Sequence, residues 1–254
     1  MKIATWNVNS LQVRLPHVLS WMKSEQPDVL ALQETKIQDV NFPIETILDA
    51  GYQVVYAGEK SYNGVAIFSK KQPKELTQAL PHFADSQKRF LGVTIQGVRI
   101  LNLYVPNGSE VGSEKFQYKL MWLSQLKDYV KQQAKQYDQL ILLGDFNIAP
   151  EERDVHDPAA WEGSVLVSEP EREKWRELLA EGLSDTFRLF YDEGGYYSWW
   201  DYRMNAFRRN LGLRIDHILV SQALAQCCRA VHIDRLPRTW ERPSDHAPVV
   251  AEFA

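Results

Sequence analysis

The chain has 254 residues, 44% hydrophobic and 24% charged, with a formal net charge of −4. That length suits one large α/β or two-sheet domain with an ordinary core. No stretch is apolar enough for a membrane span. The acidic balance excludes a protein that coats nucleic acid generally, so any polyanion must be met by a local basic patch.

Residues 2–8 read as a strand, followed by a helix with Leu15, Val18, Leu19 and Met22 on one face and Pro16 in its first turn. Pro27 stops that helix before a strand at 28–33. A short helix near 43–50 ends at Gly51. Strands follow near 52–57, 64–69, 91–95 and 98–104, the last two joined by a turn at Gln96-Gly97. Phe116, Leu120, Leu123, Leu126 and Val130 mark a helix over 114–136, and a strand at 139–143 comes next. Residues 150–170 are polar and irregular, yet Trp161, Val165, Leu166 and Val167 require burial, so the segment reads as an ordered surface excursion. Ser168 and Glu171 form a capping box around Pro170 and start a helix that ends near Gly182. Strands near 196–200, 214–220, 229–234 and 247–253 close the chain. With no linker, residues 1–254 read as a single domain. Many strands with helices spread between them fit a helix-covered two-sheet sandwich; a doubly wound sheet would alternate more strictly. No Gly-rich phosphate loop is present. Cys227 and Cys228 are adjacent and form no disulfide framework, and no signal peptide precedes the first strand, so a cytoplasmic location is expected.

The informative feature is where polar groups fall on apolar strands. In LILLGDFNIAP, Leu140 to Leu143 read as a strand buried on both faces; Gly144 breaks it, and Asp145 and Asn147 follow. Alone, this is equally an Asx-type turn. The pattern recurs, however. IATWN ends in Asn7, with Asn9 two residues on, and VLALQE ends in Glu34. RILNLYVPN carries Tyr104 and Asn107, RIDHILV carries Asp216, and PSDHAPVVAEF places Asp245 and His246 before the last strand. These are hard oxygen and imidazole ligands without a thiolate, which suits Mg²⁺ or Mn²⁺ better than zinc. His17, His82, His156, His217 and His232 lack such a setting, and alternation turns His217 away from the face of Asp216. The segment SWWDYRMNAFRRNLGLR interleaves aromatics with Arg203, Arg208, Arg209 and Arg214. A solvated face is the plain reading; gripping a phosphate backbone beside an extruded nucleotide is the favoured one.

Taken in order, TWNVNS, LQETK, NLYVPNG, GDFNIAP, GLRIDHILVS and SDHAPV, with YSWWDYR among them, resemble the exonuclease III family from Lys2 to Phe253. This is the bacterial branch of the apurinic/apyrimidinic endonucleases in the endonuclease/exonuclease/phosphatase superfamily. The resemblance implies a DNase I-like four-layered α/β sandwich, two packed mixed β-sheets flanked by helices, with the site at one rim. It implies hydrolysis of DNA phosphodiesters with one or two Mg²⁺ or Mn²⁺ ions. The implied activities are 3′-to-5′ exonuclease, abasic-site endonuclease and 3′-phosphatase or phosphodiesterase. The implied partner is duplex DNA with abasic sites, nicks or blocked 3′ ends, bound by a monomer.

Carried over by residue, Glu34 resembles the principal metal carboxylate, with Asn7 and Asp245 beside it and Asp145, Asn147 and His246 completing the metal set. Asp145 also resembles the group that orients or deprotonates water, and Asn147 a donor to the phosphate. His246 resembles the imidazole on the scissile phosphate, backed by Asp216, and Tyr104 a hydroxyl or phenolate near the leaving group. Asn107 is similar to a contact with the abasic sugar or phosphate, and Asn9 to a support of the metal network. Trp199, Leu213 and Ile215 resemble the walls of an abasic-sugar slot, and Arg203, Arg208 and Arg209 contacts to the DNA backbone. Alternation puts Leu213 and Ile215 on one face with Arg214 and Asp216 on the other, so a twist or bulge is needed to bring Ile215 and Asp216 to one site. The alternatives are a same-fold phosphatase or phosphodiesterase on another substrate, or a non-catalytic RNA- or protein-binding regulator. The WWDYR…RNLGLRID segment argues against the first, and the filled polar positions against the second.

Overall fold

A computed structural model describes all 254 residues. In chain order the strands are β1 (Lys2–Asn7), β2 (Val29–Gln33), β3 (Gln53–Ala57), β4 (Val65–Ser69), β5 (Lys74–Thr77), β6 (Phe90–Ile95) and β7 (Val98–Tyr104). They continue with β8 (Leu140–Asp145), β9 (Leu183–Asp185), β10 (Trp199–Trp200), β11 (Gly212–Leu213), β12 (Asp216–Ser221), β13 (Cys228–Ile233) and β14 (Val249–Phe253). The helices are α1 (Leu11–Glu25), α2 (Ile44–Asp49), α3 (Glu114–Ala134), α4 (Pro158–Trp161), α5 (Glu169–Leu179), α6 (Ala206–Arg209) and α7 (Gln222–Ala225).

Two six-stranded sheets run β13-β14-β1-β2-β4-β3 and β5-β6-β7-β8-β12-β9, and β10 and β11 form a small ribbon. Each sheet is mixed, with one parallel pair, β1 with β2 and β7 with β8. Two-residue alternation along the central strands sets the layers. Ile3, Val29, Ala31, Ile100, Ile141, Leu143, Ile218 and Val220 meet in a core between the sheets. Their neighbours Ala4, Trp6, Leu30 and Leu32 face α1 and α2 with Leu11, Val18, Trp21, Met22 and Ile47. Leu101, Leu103, Leu140, Leu142 and Leu219 face α3 and α5 with Trp122, Leu123, Leu126, Trp175 and Leu178. Helix, sheet, sheet and helix are the four expected layers.

Several element boundaries differ from the sequence reading. Helix α1 starts at Leu11, so Pro16 lies beyond its first turn, on an exposed side of the helix, where water can replace the missing N–H donor. The buried stripe of α3 is Phe116, Lys119, Trp122, Leu123, Leu126, Tyr129, Val130 and Gln133, whereas Leu120 is only half-buried. Strands β5 and β9 were not evident in the sequence, being short edge pieces without apolar alternation. The strand expected at 196–200 shrinks to Trp199–Trp200, and that expected at 214–220 begins at Asp216. The capping box of Ser168 and Glu171 is present, and α5 follows it.

Candidate active site at the rim of the sheets

The alternation that builds the inner core also builds the site. Asn7 continues the inward row of Ile3 and Thr5, Tyr104 that of Ile100 and Asn102, and Asp145 that of Ile141 and Leu143. Asp216, opposite Asp145 in the antiparallel β8–β12 pair, heads the row of Ile218 and Val220. All four stand at strand ends on one rim. Beneath them lies a polar floor: Gln33 Nε2 donates to Thr5 Oγ1 at 2.9 Å and Asn102 Oδ1 at 2.7 Å. Asn102 Nδ2 donates across the gap to Leu32 O at 3.0 Å and Ala66 O at 2.9 Å. Gly144 lets β8 run this close to β7, because a Cβ there would sit 1.9 Å from Leu103 O.

The loops leaving the strands turn through left-handed backbone at Asn9 (φ 43°), Glu34 (φ 52°) and Asn147 (φ 50°). Asparagine tolerates that region; for Glu34 it is a local strain held by its surroundings. Asn7 Nδ2 lies 2.9 Å from both Glu34 Oε1 and Asp145 Oδ2, so one amide bridges the two carboxylates. Lys36 Nζ lies 2.8 Å from Glu34 Oε2 and donates to Asn9 Oδ1 at 2.6 Å. Asn147 N donates to Asp145 Oδ1 at 2.9 Å, its Nδ2 donates to Val105 O at 2.9 Å, and its Oδ1 accepts Asn107 Nδ2 at 3.3 Å. Asp245 accepts Asn9 Nδ2 at 3.0 Å and Trp199 Nε1 at 2.9 Å.

His246 is buried, its Nδ1 is 2.8 Å from Asp216 Oδ2, and its Nε2 is 3.8 Å from Asp145 Oδ2. Burial alone pushes this imidazole down, but Asp216, Asp145 and Asp245 outweigh it and raise its pKa to about 10. Burial, Asp216 and Glu34 raise Asp145 to about 7, against the pull of His246 and Asn7. Burial, then Glu34 and Asp145, hold the Tyr104 phenol well above its ordinary range, although the Arg89 guanidinium stacks 4.5 Å over the ring and opposes the shift. Tyr104 is therefore a neutral O–H beside Glu34 at physiological pH, not a phenolate.

Glu34, Asp145 and His246 each offer one ligand atom, and these atoms all lie within 4.8 Å of one another. Two carboxylates and an imidazole suit a hard divalent cation. Asn7 joins the two carboxylates, and Asn147 adjoins Asp145. Asp245 lies outside the converging trio, with its two oxygens occupied by Asn9 and Trp199.

The apolar slot residues take another position. Trp199 is half-buried and pairs with Leu213 across the β10–β11 ribbon. Leu213 and Ile215 are buried among Ala149, Val155, Leu166 and Val167, with Trp161 and Trp199 packed against that cluster. The chain passes from the ribbon into the second sheet between Leu213 and Asp216, and Ile215 and Asp216 have different surroundings, Ile215 in the apolar cluster and Asp216 against His246. Arg203 is exposed and ion-paired to Asp201, and Arg208 and Arg209 are exposed. Arg214 is not part of that surface. It is buried against Asp154 at 2.6 Å and Asp185 at 2.8 Å. His217 points away from Asp216, as alternation predicts, to Ile148 O at 2.9 Å and to Arg214.

The chain matches the model of the endonuclease/exonuclease/phosphatase family over residues 4–246. It belongs to that family. It is 37% identical to exodeoxyribonuclease III of Haemophilus influenzae over 100% of both chains. Among solved structures it resembles a 3′ phosphatase from Neisseria bound to a product DNA hairpin, at 45% identity and a TM-score of 0.99, covering 100% of this chain and 99% of that one. An AP endonuclease from Archaeoglobus fulgidus matches at 39% identity and a TM-score of 0.97, with the same coverage. The endonuclease/exonuclease/phosphatase fold thus accounts for the two sheets and their shared rim.

The sequence reading overlooked several groups that hold this rim. Ser198 Oγ donates to Asp216 Oδ2 at 2.7 Å while accepting Ile215 N and Asp216 N. Ser244 Oγ donates to Asn7 O at 2.7 Å and accepts His246 N, tying the two loops together. Lys36 follows Glu34 by two residues and was legible only as a surface lysine. Lys119 carried a usable signal, for it falls three residues after Phe116, where helical spacing calls for an apolar side chain.

Proposed function

We infer that this chain is a divalent-metal-dependent DNA repair nuclease of the exodeoxyribonuclease III kind. It removes nucleotides from 3′ ends of duplex DNA, and the same centre cleaves beside abasic sites and strips 3′ phosphates. The observation that carries this reading is the convergence of Glu34, Asp145 and His246 at one rim, backed by Asn7, Tyr104 and Asp216.

Phosphodiester hydrolysis places negative charge on the nonbridging oxygens and on the leaving 3′ oxygen. His246, held as an imidazolium by Asp216, meets the phosphate as a charged donor already in position. Glu34 and Asp145 would hold Mg²⁺ or Mn²⁺, with Asn7 and Asn147 at their edge. When bound, the ion supplies Lewis-acid stabilisation of the developing charge. Asp145, with a pKa near 7, takes the proton of the attacking water. The neutral Tyr104 hydroxyl stands on the Glu34 side as a proton donor, and the Asn107 and Asn147 carboxamides face each other where phosphate oxygens bind. Exposed Arg203, Arg208 and Arg209 meet the DNA backbone, and half-buried Trp199 faces a nucleotide at the site. Asn9 and Asp245 hold that tryptophan in place. The chain acts as a monomer in this reading, in the cytoplasm.

The test uses one set of duplexes, carrying a recessed 3′ end, a 3′ phosphate or an abasic site, with Mg²⁺ and then with EDTA. Metal-dependent hydrolysis of these duplexes is expected. Persistent activity in EDTA, or hydrolysis only of a non-nucleic phosphoester, overturns the reading.

A further inference from the structure

Lys119 has no solvent-exposed side-chain surface, and neither has Glu171, its ion-pair partner. The ammonium has three N–H donors and uses all three, on Asn107 O at 3.0 Å, Asn147 O at 2.6 Å and Glu171 Oε1. The carboxylate is equally saturated: Oε1 also accepts Leu166 N at 3.0 Å, and Oε2 accepts Ser168 N at 3.1 Å and Ser168 Oγ at 2.5 Å. One buried charge pair thus gathers the turn after β7, the turn after β8 and the start of α5. Gly108 makes the approach possible, since a Cβ there would press on Lys119 Cδ at 3.1 Å and Val165 Cγ2 at 3.2 Å.

The two carbonyls held by Lys119 belong to the two residues whose carboxamides meet at the site, Asn107 Nδ2 on Asn147 Oδ1 at 3.3 Å. Asn147 has left-handed backbone and also grips Asp145 through its own N–H. A rotation of either peptide would therefore swing a carboxamide away from its partner. A buried ion pair is a poor device for stability alone, because desolvation cancels much of its attraction. It is a good device for fixing two main-chain oxygens at one point.

We propose that Lys119, oriented by Glu171, is a positioning residue for hydrolysis. It sets the spacing of the Asn107 and Asn147 carboxamides from behind, without touching the substrate. The proposal rests on the nuclease reading above. Lys119→Met removes the ammonium at similar length but orphans the Glu171 carboxylate, so Lys119→Met/Glu171→Gln serves as the variant with no stranded charge. Both are assayed well below their melting temperatures on a 3′-phosphate duplex, alone and combined with Asn147→Ala. Each should lose about a hundredfold in kcat with KM for DNA within about threefold, the scale of an ångström-sized misplacement. Combined with Asn147→Ala, the losses should fall well short of their product. Amide hydrogen exchange should quicken at 105–110 and 146–149 while the central strands stay protected. A folded double variant with kcat within about threefold of wild type, or losses that multiply with Asn147→Ala, overturns the clamp. A wild type inactive on every duplex instead sinks the nuclease reading.

Discussion

Asp216 places one carboxylate oxygen 2.8 Å from His246 Nδ1, and its other oxygen is buried without a partner. The pair keeps His246 charged up to about 10, while Asp145 ionises near 7. Activity should rise as pH passes through about 7 and fall toward 10. Asp216→Asn removes the charge that raises the imidazole, so the alkaline limb should move acidward and the rate at pH 8 should fall about a hundredfold or more. A pH–rate profile with an unmoved alkaline limb contradicts the pairing.

Asp145 and His246 serve the same hydrolytic step in this scheme, their side chains 3.8 Å apart. Asp145→Asn and His246→Ala should each lower turnover by several powers of ten, on the order of a lost base or preorganised donor. The double variant should be little worse than either. Asp145→Asn should keep its DNA affinity, because a negative charge near phosphate is gone. Single-turnover rates and a binding titration decide it; multiplicative losses count against a shared step.

Glu34→Gln keeps the shape and the Asn7 contact but removes half the carboxylate charge of the converging pair. Mg²⁺ affinity should fall, and excess Mn²⁺ should restore part of the rate. Calorimetric titration without DNA reads the affinity directly. Unchanged Mg²⁺ binding would remove Glu34 from the ligand set.

Leu213 and Trp199 separate the roles of core and slot. Leu213→Ala should cost about 2–5 kcal/mol of stability, as aliphatic truncations in cores do, and lower every activity together. Trp199→Ala, at a half-buried position, should lower abasic-site cleavage more than 3′-phosphate removal, with a smaller drop in melting temperature. Equal losses on both substrates would make Trp199 a packing residue.

His217 lies buried between Arg214 and Ile148 O, and burial, then Arg214, lower its pKa from 6.5 to about 4. The unfolded chain gains this proton below about 6.5 and the folded chain only below about 4. The stabilisation is complete above 6.5 and is lost as pH falls from 6.5 to 4, by up to about 3 kcal/mol. Denaturant melts of His217→Gln across that window should show a shallower pH slope than wild type. An identical slope would place the acid sensitivity elsewhere.

Much of this was legible because the central strands are regular. Once Ile141 and Leu143 are assigned inward, Asp145 must follow, and the same counting places Asn7, Tyr104 and Asp216. Counting failed where the backbone leaves the ladder. Leu213 to Asp216 crosses from one sheet to another; alternation kept Leu213 and Ile215 together and Arg214 apart from them, but it did not show that Arg214 turns inward to Asp154 and Asp185 rather than joining the basic surface. Those acids lie about thirty and sixty positions away in sequence, and no local pattern announces them. Lys119 was missed for a related reason: a lone lysine reads as solvated until its partner Glu171 is placed in space.

The cross-sheet bonds of Asn102 also limit sliding. Asn7 and Glu34 ride on the first sheet, and Tyr104, Asp145 and Asp216 on the second, so the reactive centre has no single carrier. Apolar faces permit shear, since one methyl row replaces another at little cost. Asn102, anchored in β7 and bonded to Leu32 O and Ala66 O of the facing sheet, acts as a dowel just below the centre. The registry of the strand-borne groups is thereby decided layer against layer.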